Sequence, residues 1–180
     1  MKFFSQKDRF TSFIIYLLEC VMAELTQRMA SLADVQGIWG LLRQVSADVP
    51  FKADSEEEQE SVLSELVACC TSGLSPILVD NERGIVGALL ARRDDFEWGL
   101  RNRTAIHVAY AAVARSHRDG GLLGILLDLV QGQKVCVLAS VKSGERQGLA
   151  EALGRQGFIC EARAESGWGA LYQWTPPVAQ

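Results

Sequence analysis

The stretch that decides the fold runs from Ala105 to Leu127 and reads AIHVAYAAVARSHRDGGLLGILL. Its first part, up to Val113, is rich in small apolar residues and predicts a strand. A polar turn and the pair Gly120-Gly121 follow, and the leucine-rich remainder predicts a helix. Glycines between a strand and a helix let the main chain approach a ligand closely, and the free N–H groups of a first helical turn bind anions. We therefore expect an anion such as a pyrophosphate at this junction, with the planar guanidinium of Arg118 beside it.

Helical and extended patterns alternate on both sides of this segment. Ahead of it, a strand at residues 25–29 is followed by two helices, which begin at the capping sequences Ser31 to Asp34 and Ser55 to Glu58. The polar residues 92–103 predict a loop. The other predicted strands cover residues 77–79, 84–91, 104–114, 134–141, 158–164 and 168–174, and the other helices cover 120–131 and 145–156. This order predicts an α/β domain with one mixed sheet and helices on its faces.

The element order and the central segment together resemble the GNAT superfamily of acyl-CoA-dependent N-acyltransferases. The acyl-CoA motif of that family runs from a valine at the end of the fourth strand through Q/R-x-x-G-x-G/A into a helix. Val113, Arg118 and Gly121 stand at the matching valine, Q/R and first glycine. Gly157-Phe158 matches the pair that commonly follows the last helix of the family. The resemblance spans residues 25–176 and implies a mostly antiparallel central sheet flanked by helices on both faces.

The same resemblance implies that acetyl-CoA binds as a co-substrate. Its pantetheine arm would lie along the strand that ends at Val113, and main-chain N–H groups from residue 118 to residue 123 would hold its pyrophosphate. Leu123 stands at the last G/A position of the motif, and Asp119 stands where glycine is common; capping of the following helix is the alternative role of Asp119. The expected cofactor-binding residues are Ala111, Val113, Arg118, Asp119, Gly120, Gly121 and Leu123.

Two side chains of the central strand are candidates for catalysis. Many family members carry a tyrosine as general acid four residues before the glycine–phenylalanine pair, but this chain has Leu153 there, and Arg146 replaces an asparagine seven residues earlier. His107 lies where some members place a glutamate base, and an imidazole is suited to take a proton near neutral pH. Simple alternation puts His107 on one face with Ala105, Ala109 and Ala111, and a bulge in the strand would break this parity. A hydrogen-bonded, partly buried histidine is the alternative role. Tyr110 is the second candidate, as a proton donor, and packing on the strand is its alternative role.

Residues 1–24 differ from the rest of the chain and predict an N-terminal amphipathic helical extension, because their apolar side chains recur at three- and four-residue steps. It would pack on the domain or on a second subunit. A signal peptide and a translation start at Met22 are the alternatives. Residues 25–176 are predicted to form the acyltransferase domain, and residues 177–180 a short tail.

Composition limits the other functions. The formal net charge of −4 gives no basic face for a nucleic acid. Five cysteines without a C-x-x-C pair, together with two histidines, favour neither a zinc site nor a disulfide framework, so we expect no metal and a cytoplasmic location. The apolar run near the N-terminus is too short to span a membrane.

These patterns predict an N-acetyltransferase that moves an acetyl group from acetyl-CoA to a primary amine on a small molecule or a peptide. Direct attack of the amine is expected, since no serine or cysteine has a placed histidine partner. A non-catalytic CoA-binding or protein-interaction module on the same fold is the alternative, and an apolar-ligand or assembly domain without a CoA site is a third. The oligomeric state is open, and a homodimer is among the candidates.

Overall fold

The computed structural model describes residues 25–49, 51–94, 104–163 and 169–177, which form one sheet with helices packed on it. The strands are β1 (Leu25–Met29), β2 (Pro76–Asp80), β3 (Gly84–Asp94), β4 (Ala105–Val113), β5 (Cys136–Val141), β6 (Ile159–Arg163) and β7 (Ala170–Trp174). The α-helices are α1 (Val35–Gln44), α2 (Glu56–Thr71), α3 (Leu122–Gln131) and α4 (Leu149–Arg155). Short 3₁₀ helices at Leu32–Asp34 and Arg115–Gly120 precede α1 and α3. No helix within the described residues is long and apolar enough to cross a membrane.

The seven strands lie in the order β1-β2-β3-β4-β5-β7-β6. β4 and β5 run parallel, and every other neighbouring pair is antiparallel. On β3, Arg92 bonds Glu65 of α2, whereas Gly87, which lies on the opposite face of the strand, packs against Leu126 of α3. Helices therefore flank both faces, and the predicted mixed, mostly antiparallel α/β fold is confirmed.

The leucine-rich segment that follows the glycine pair forms α3 and buries most of its apolar side chains. Leu126, Leu127 and Val130 are fully buried in the core. At roughly 25 cal/mol per Å² of apolar surface, each such leucine contributes on the order of 2 kcal/mol before the entropy of ordering the chain is subtracted. Burial of this helix therefore fixes the position of its N-terminus beside the end of β4.

A bulge in β4 decides which of its side chains share a face. The register between β3 and β4 shifts by one residue at Ala109, which is left without a partner between paired residues on either side. His107 and Tyr110 consequently lie on the face covered by α1 and α2, and Ala111 lies on the face covered by α3. The prediction that His107 shares a face with Ala111 is wrong, since it assumed simple alternation along the whole strand.

The bounds of two elements differ from the predictions: β3 is longer, and α4 begins later. β3 continues to Asp94, so residues 92–94 belong to a strand and not to the predicted loop. α4 begins at Leu149 instead of residue 145, because Gly148 adopts a left-handed conformation (φ 77°) at the N-cap. The predicted extension at residues 1–24, the turn at 165–167 and residues 178–180 lie outside the described residues.

Both helices of the N-terminal half begin at the predicted capping sequences. Ser55 and Glu58 form the expected capping box at the start of α2. Ahead of α1, the carboxylate of Asp34 accepts the main-chain N–H and the hydroxyl of Ser31. It also accepts two hydrogen bonds from Arg28 on β1, at 2.7 and 2.6 Å. Asp34 is buried, so this carboxylate joins the edge strand to the first helix.

Replacing Asp34 by asparagine should lower the free energy of unfolding by about 2 kcal/mol, because an amide cannot keep the paired bonds from Arg28. The hydrogen bonds from Arg28 hold the pKa of Asp34 well below its usual value. Its stabilising contribution is therefore complete above about pH 4 and is lost as the pH falls through the lowered pKa. Urea unfolding should show a smaller difference between the two proteins at about pH 3 than at about pH 7.

Asp128→Asn, at an exposed position of α3, is the control and should change the unfolding free energy by less than about 0.5 kcal/mol. An Asp34→Asn protein as stable as the parent at neutral pH would contradict the role given to this carboxylate.

Candidate functional site

The candidate site lies where the two parallel strands separate. β4 and β5 are paired from Ala105 to Val108 on β4, opposite Cys136 to Ala139 on β5. Beyond that point β4 continues its ladder with β3, and β5 continues with β7, but the two strands no longer pair with each other. The edge of β4 that faces β5 is therefore open from the bulge at Ala109 to Val113.

A small cavity of about 40 Å³ occupies the start of this opening. Both strands line it, and the segment that follows β5 closes its far side. The lining residues are Val49, Ala109, Tyr110, Ala111, Ser140, Val141, Lys142, Glu145 and Leu149. A volume of this size holds no more than a few water molecules.

The side chain of Gln147 occupies the open edge of β4. Its Oε1 accepts the main-chain N–H of Val113 at 2.8 Å, and its Nε2 donates to the carbonyl of Ala111 at 3.1 Å. In a parallel sheet, one residue of the neighbouring strand would make these two bonds, to the carbonyl of residue i and the N–H of residue i+2. The amide of Gln147 therefore replaces one residue of a missing strand.

The main chain around Gln147 is held in place by its neighbours. The carboxylate of Glu145 accepts the main-chain N–H groups of Gln147 and Leu149. The N–H of Arg146 donates to the carbonyl of Asp48, at 2.8 Å. Gln147 consequently reaches β4 from a backbone that is fixed on both sides.

The junction predicted to bind an anion is a 3₁₀ helix, Arg115–Gly120, that leads into α3, so the predicted N–H donors at residues 118–120 lie inside a helical turn and those at 122 and 123 at a helix start. Gly121 adopts a left-handed conformation (φ 69°) and occupies the N-cap of α3, so Asp119 does not occupy that position. The N–H of Gly124 donates to the carbonyl of Gly121 at 2.9 Å and closes the first turn of α3. The N–H groups of Leu122 and Leu123 lie in that first turn, where N–H groups have no acceptor within the α-helix itself. Gly120 lies in the 3₁₀ helix just before this turn.

Two features leave room for a ligand at this helix terminus. The side chain of Leu123 is buried in the core, so it does not crowd the N–H groups of the first turn. A Cβ added at Gly121 would meet nothing within 4 Å. Open space in front of a helix N-terminus is what an anionic group requires.

Arg118, the predicted phosphate ligand, is paired with a carboxylate. Its Nη2 lies 2.9 Å from Oδ2 of Asp48, and its Nε donates to the carbonyl of Val113 at 3.3 Å. Arg115 binds the same Asp48 oxygen at 2.8 Å. The hydrogen bond from Arg115 and the pairing with Arg118 hold the pKa of Asp48 below its usual value. Asp48 therefore joins the end of the α1 region to the turn that follows β4.

Tyr110 lies between the small cavity and a larger cleft. The cleft has a volume of about 680 Å³ and is lined by α2 residues, by the segment after α1 and by the segment after β5. Phe51 packs edge-on against the Tyr110 ring, with centroids 6.2 Å apart. Burial, with a smaller contribution from Glu65, raises the pKa of Tyr110. The phenol therefore keeps its proton at neutral pH and can donate it.

His107 lies in the closed part of the sheet. It pairs with Arg92 on β3 and with Leu138 on β5, two residues before the bulge. The ring is half-buried, on the same face as Tyr110. Unlike Tyr110, His107 lines neither the 40 Å³ cavity nor the 680 Å³ cleft.

Leu153, at the position where many GNAT members carry a tyrosine, is fully buried in α4. This position therefore supplies hydrophobic packing and no proton donor. Among the described residues, no group of three or more histidine, cysteine or acidic side chains is arranged to hold a metal ion.

Sequence reasoning missed Gln147 and Asp48. The two residues of β4 that Gln147 bonds lie 34 and 36 positions away in the sequence, and Asp48 and Arg115 are 67 positions apart. Neither contact has a local spacing that could reveal it.

Comparison with solved structures identifies the fold. Arylalkylamine N-acetyltransferase 2 from Aedes aegypti superposes with a TM-score of 0.65 at 13% identity, covering 84% of this chain and 98% of that one. NAA60 of Arabidopsis thaliana, in complex with a bisubstrate analogue, gives 0.60 at 16% identity over 86% and 99%. The ribosomal-protein-S5-alanine acetyltransferase of Vibrio fischeri gives 0.59 at 18% identity over 87% and 96%. The chain therefore has the fold of the GNAT acetyltransferases. No protein-family model and no curated protein matches the sequence.

Gly121→Ala should lower the free energy of unfolding by about 1 kcal/mol, because a side chain is strained in the left-handed conformation although there is space for it. Gly154→Ala is the matched control: a Cβ there also meets nothing within 4 Å, but the residue lies in α4 with ordinary helical φ. It should leave stability unchanged or raise it by about 0.5 kcal/mol. Urea unfolding of the two variants measures the difference. Equal effects would show that the backbone at Gly121 is not constrained.

Proposed function

We propose that the protein is an N-acetyltransferase that moves an acetyl group from acetyl-CoA to a primary amine. The observation that carries the proposal is the open edge of β4, where the carbonyl of Ala111 and the N–H of Val113 face away from the β3 ladder and are bonded by a side-chain amide. A ligand with an extended chain of amides could make the same two bonds. The pantetheine arm of acetyl-CoA is such a chain.

The helix terminus beside this edge suits the other end of the same ligand. N–H groups of Leu122 and Leu123, with open space at Gly121, would bind the pyrophosphate. Asp119 and Gly120 belong to the same turn, and Arg118 would take part once its pairing with Asp48 loosens. The likeness to NAA60, whose structure contains a bisubstrate analogue, supports a combined site for the acyl donor and the acceptor.

The amine acceptor would enter through the 680 Å³ cleft, because Tyr110 lines both this cleft and the opening between β4 and β5. An amine nitrogen there would form the new C–N bond as the C–S bond of the thioester breaks. One proton leaves the amine, and one reaches the departing thiolate. Tyr110 is the proposed donor of that second proton, since its raised pKa keeps it protonated. His107 remains the candidate base, acting through water because it lies outside the cleft.

Acetyl-CoA at millimolar concentration should raise the thermal unfolding temperature, since a ligand that binds only the native state stabilises it. Gly121→Trp should abolish this effect, because the indole would fill the space at the helix terminus. Gly154→Trp, the same change at an exposed position of α4, is the control and should keep the effect. Absence of any stabilisation of the parent protein by CoA or acetyl-CoA would refute the proposed site.

Tyr110→Phe should reduce the turnover number by about 100-fold or more, because it keeps the ring against Phe51 but removes the proton donor. The affinity for acetyl-CoA should stay unchanged. Release of free thiol from acetyl-CoA, measured across a panel of amines and peptides, gives the rate. His107→Gln is the comparison and tests the candidate base by a shift of the acidic limb of the pH–rate profile. Full activity of Tyr110→Phe would remove Tyr110 from the mechanism.

A non-catalytic CoA-binding module is the second candidate, and the burial of Leu153 at the usual position of the general acid favours it. The two functions differ in one measurement. Binding of acetyl-CoA without thiol release on any acceptor supports the module, and thiol release that depends on an amine supports the enzyme.

A further inference from the structure

Gln147 blocks the edge to which the proposed ligand would bind. Its amide presents Oε1 and Nε2 in one plane, and both atoms bond β4, at 2.8 Å to Val113 N and 3.1 Å to Ala111 O. These are the two groups that an extended amide chain would need. A ligand arm and the Gln147 side chain cannot both bond them.

The opening holds little free space beside this contact. The cavity between the separated strands measures about 40 Å³ and is not lined by Gln147, whereas the neighbouring cleft measures about 680 Å³. The closing of the β4 edge therefore rests on the two hydrogen bonds of Gln147.

The bonds that hold the main chain around Gln147 do not involve its side chain. Glu145 holds the N–H groups of Gln147 and Leu149, and Asp48 holds the N–H of Arg146. These bonds involve the main chain and survive when the Gln147 side chain turns away. The hydrogen bonds of the Gln147 side chain can therefore break while the main chain of residues 145–149 stays in place.

We propose that Gln147 is a gate of the acyl-CoA site: it closes the edge of β4 in the free protein and admits ligands that replace both of its hydrogen bonds. The gate rests on the proposed function, since it presumes a ligand with an amide arm. The gate selects for such a ligand, because a molecule without the arm does not replace the hydrogen bonds that Gln147 makes to Val113 and Ala111. For a ligand with an amide arm, the apparent affinity equals the affinity of the open form multiplied by the fraction of molecules in which the gate is open.

Gln147→Ala should bind acetyl-CoA about tenfold more tightly than the parent, as expected if the gate is open in about a tenth of the molecules. Adenosine 3′,5′-bisphosphate, the nucleotide end of CoA without the arm, should bind both proteins equally. Calorimetric titration with each ligand measures both affinities. Gln147→Met, which keeps the length of the side chain but loses its donor and acceptor, should behave as Gln147→Ala does and serves where the alanine variant folds poorly.

Gln131→Ala is the matched control. Gln131 also donates its side-chain amide to a main-chain carbonyl, that of Gln156 at 2.8 Å, but at the end of α3 and away from β4. Its acetyl-CoA affinity should equal that of the parent.

The outcomes separate the gate from the function. Weaker or unchanged acetyl-CoA binding by both Gln147 variants, with binding by the parent, overturns the gate and leaves the proposed function standing. Tighter binding of both ligands also overturns it, because the effect would not depend on the arm. Failure of every protein to bind acetyl-CoA overturns the proposed function and the gate with it. Binding by the variants but not by the parent supports both.

Discussion

The separation of β4 from β5 is the constraint on which the rest of the site depends. When two paired strands diverge inside a sheet, the N–H and carbonyl groups of the exposed edge lose their partners, and leaving them unpaired away from water costs free energy. The bond pattern at Ala111 and Val113 can be completed by a ligand, by water or by a side chain. Here the amide of Gln147 completes it. The segment after β5 must therefore run close to β4, and this requirement fixes where Glu145 and α4 can lie.

Asp48 provides the second constraint, because it joins three segments at the mouth of the site. Its carboxylate pairs with Arg115 and Arg118 of the turn after β4, and its carbonyl accepts the N–H of Arg146. One carboxylate thereby compensates one of the two positive charges that could attract a phosphate. An anion at the helix terminus would compete with Asp48 for Arg118, so the charge of the ligand and the position of this turn are coupled.

Local patterns revealed the parts of the fold that depend on neighbours in sequence. The capping residues Ser31 and Ser55, the glycine at the start of α3 and the apolar strand before it were all predicted, since each rests on spacings of a few residues. The bulge at Ala109 was not located, because a shift of one residue leaves no compositional mark and changes only the pairing. The contacts of Gln147 and Asp48 were not predicted for a related reason. The sequence around a glutamine in a polar turn is typical of an exposed residue, and only the positions of distant strands show what it bonds.

The bulge links the two halves of the proposed chemistry. A strand without it would put Tyr110 on the face opposite His107 and toward α3; the extra residue turns the ring toward Phe51 and the cleft. The same irregularity lies where β4 leaves β5, so the open edge of β4 begins at the residue that also turns the phenol toward the cleft. Leu153 is buried at the position of the usual general acid, so the proton donor proposed above lies on β4 and not on α4. The site is therefore built around the strand itself more than around the helix that follows it.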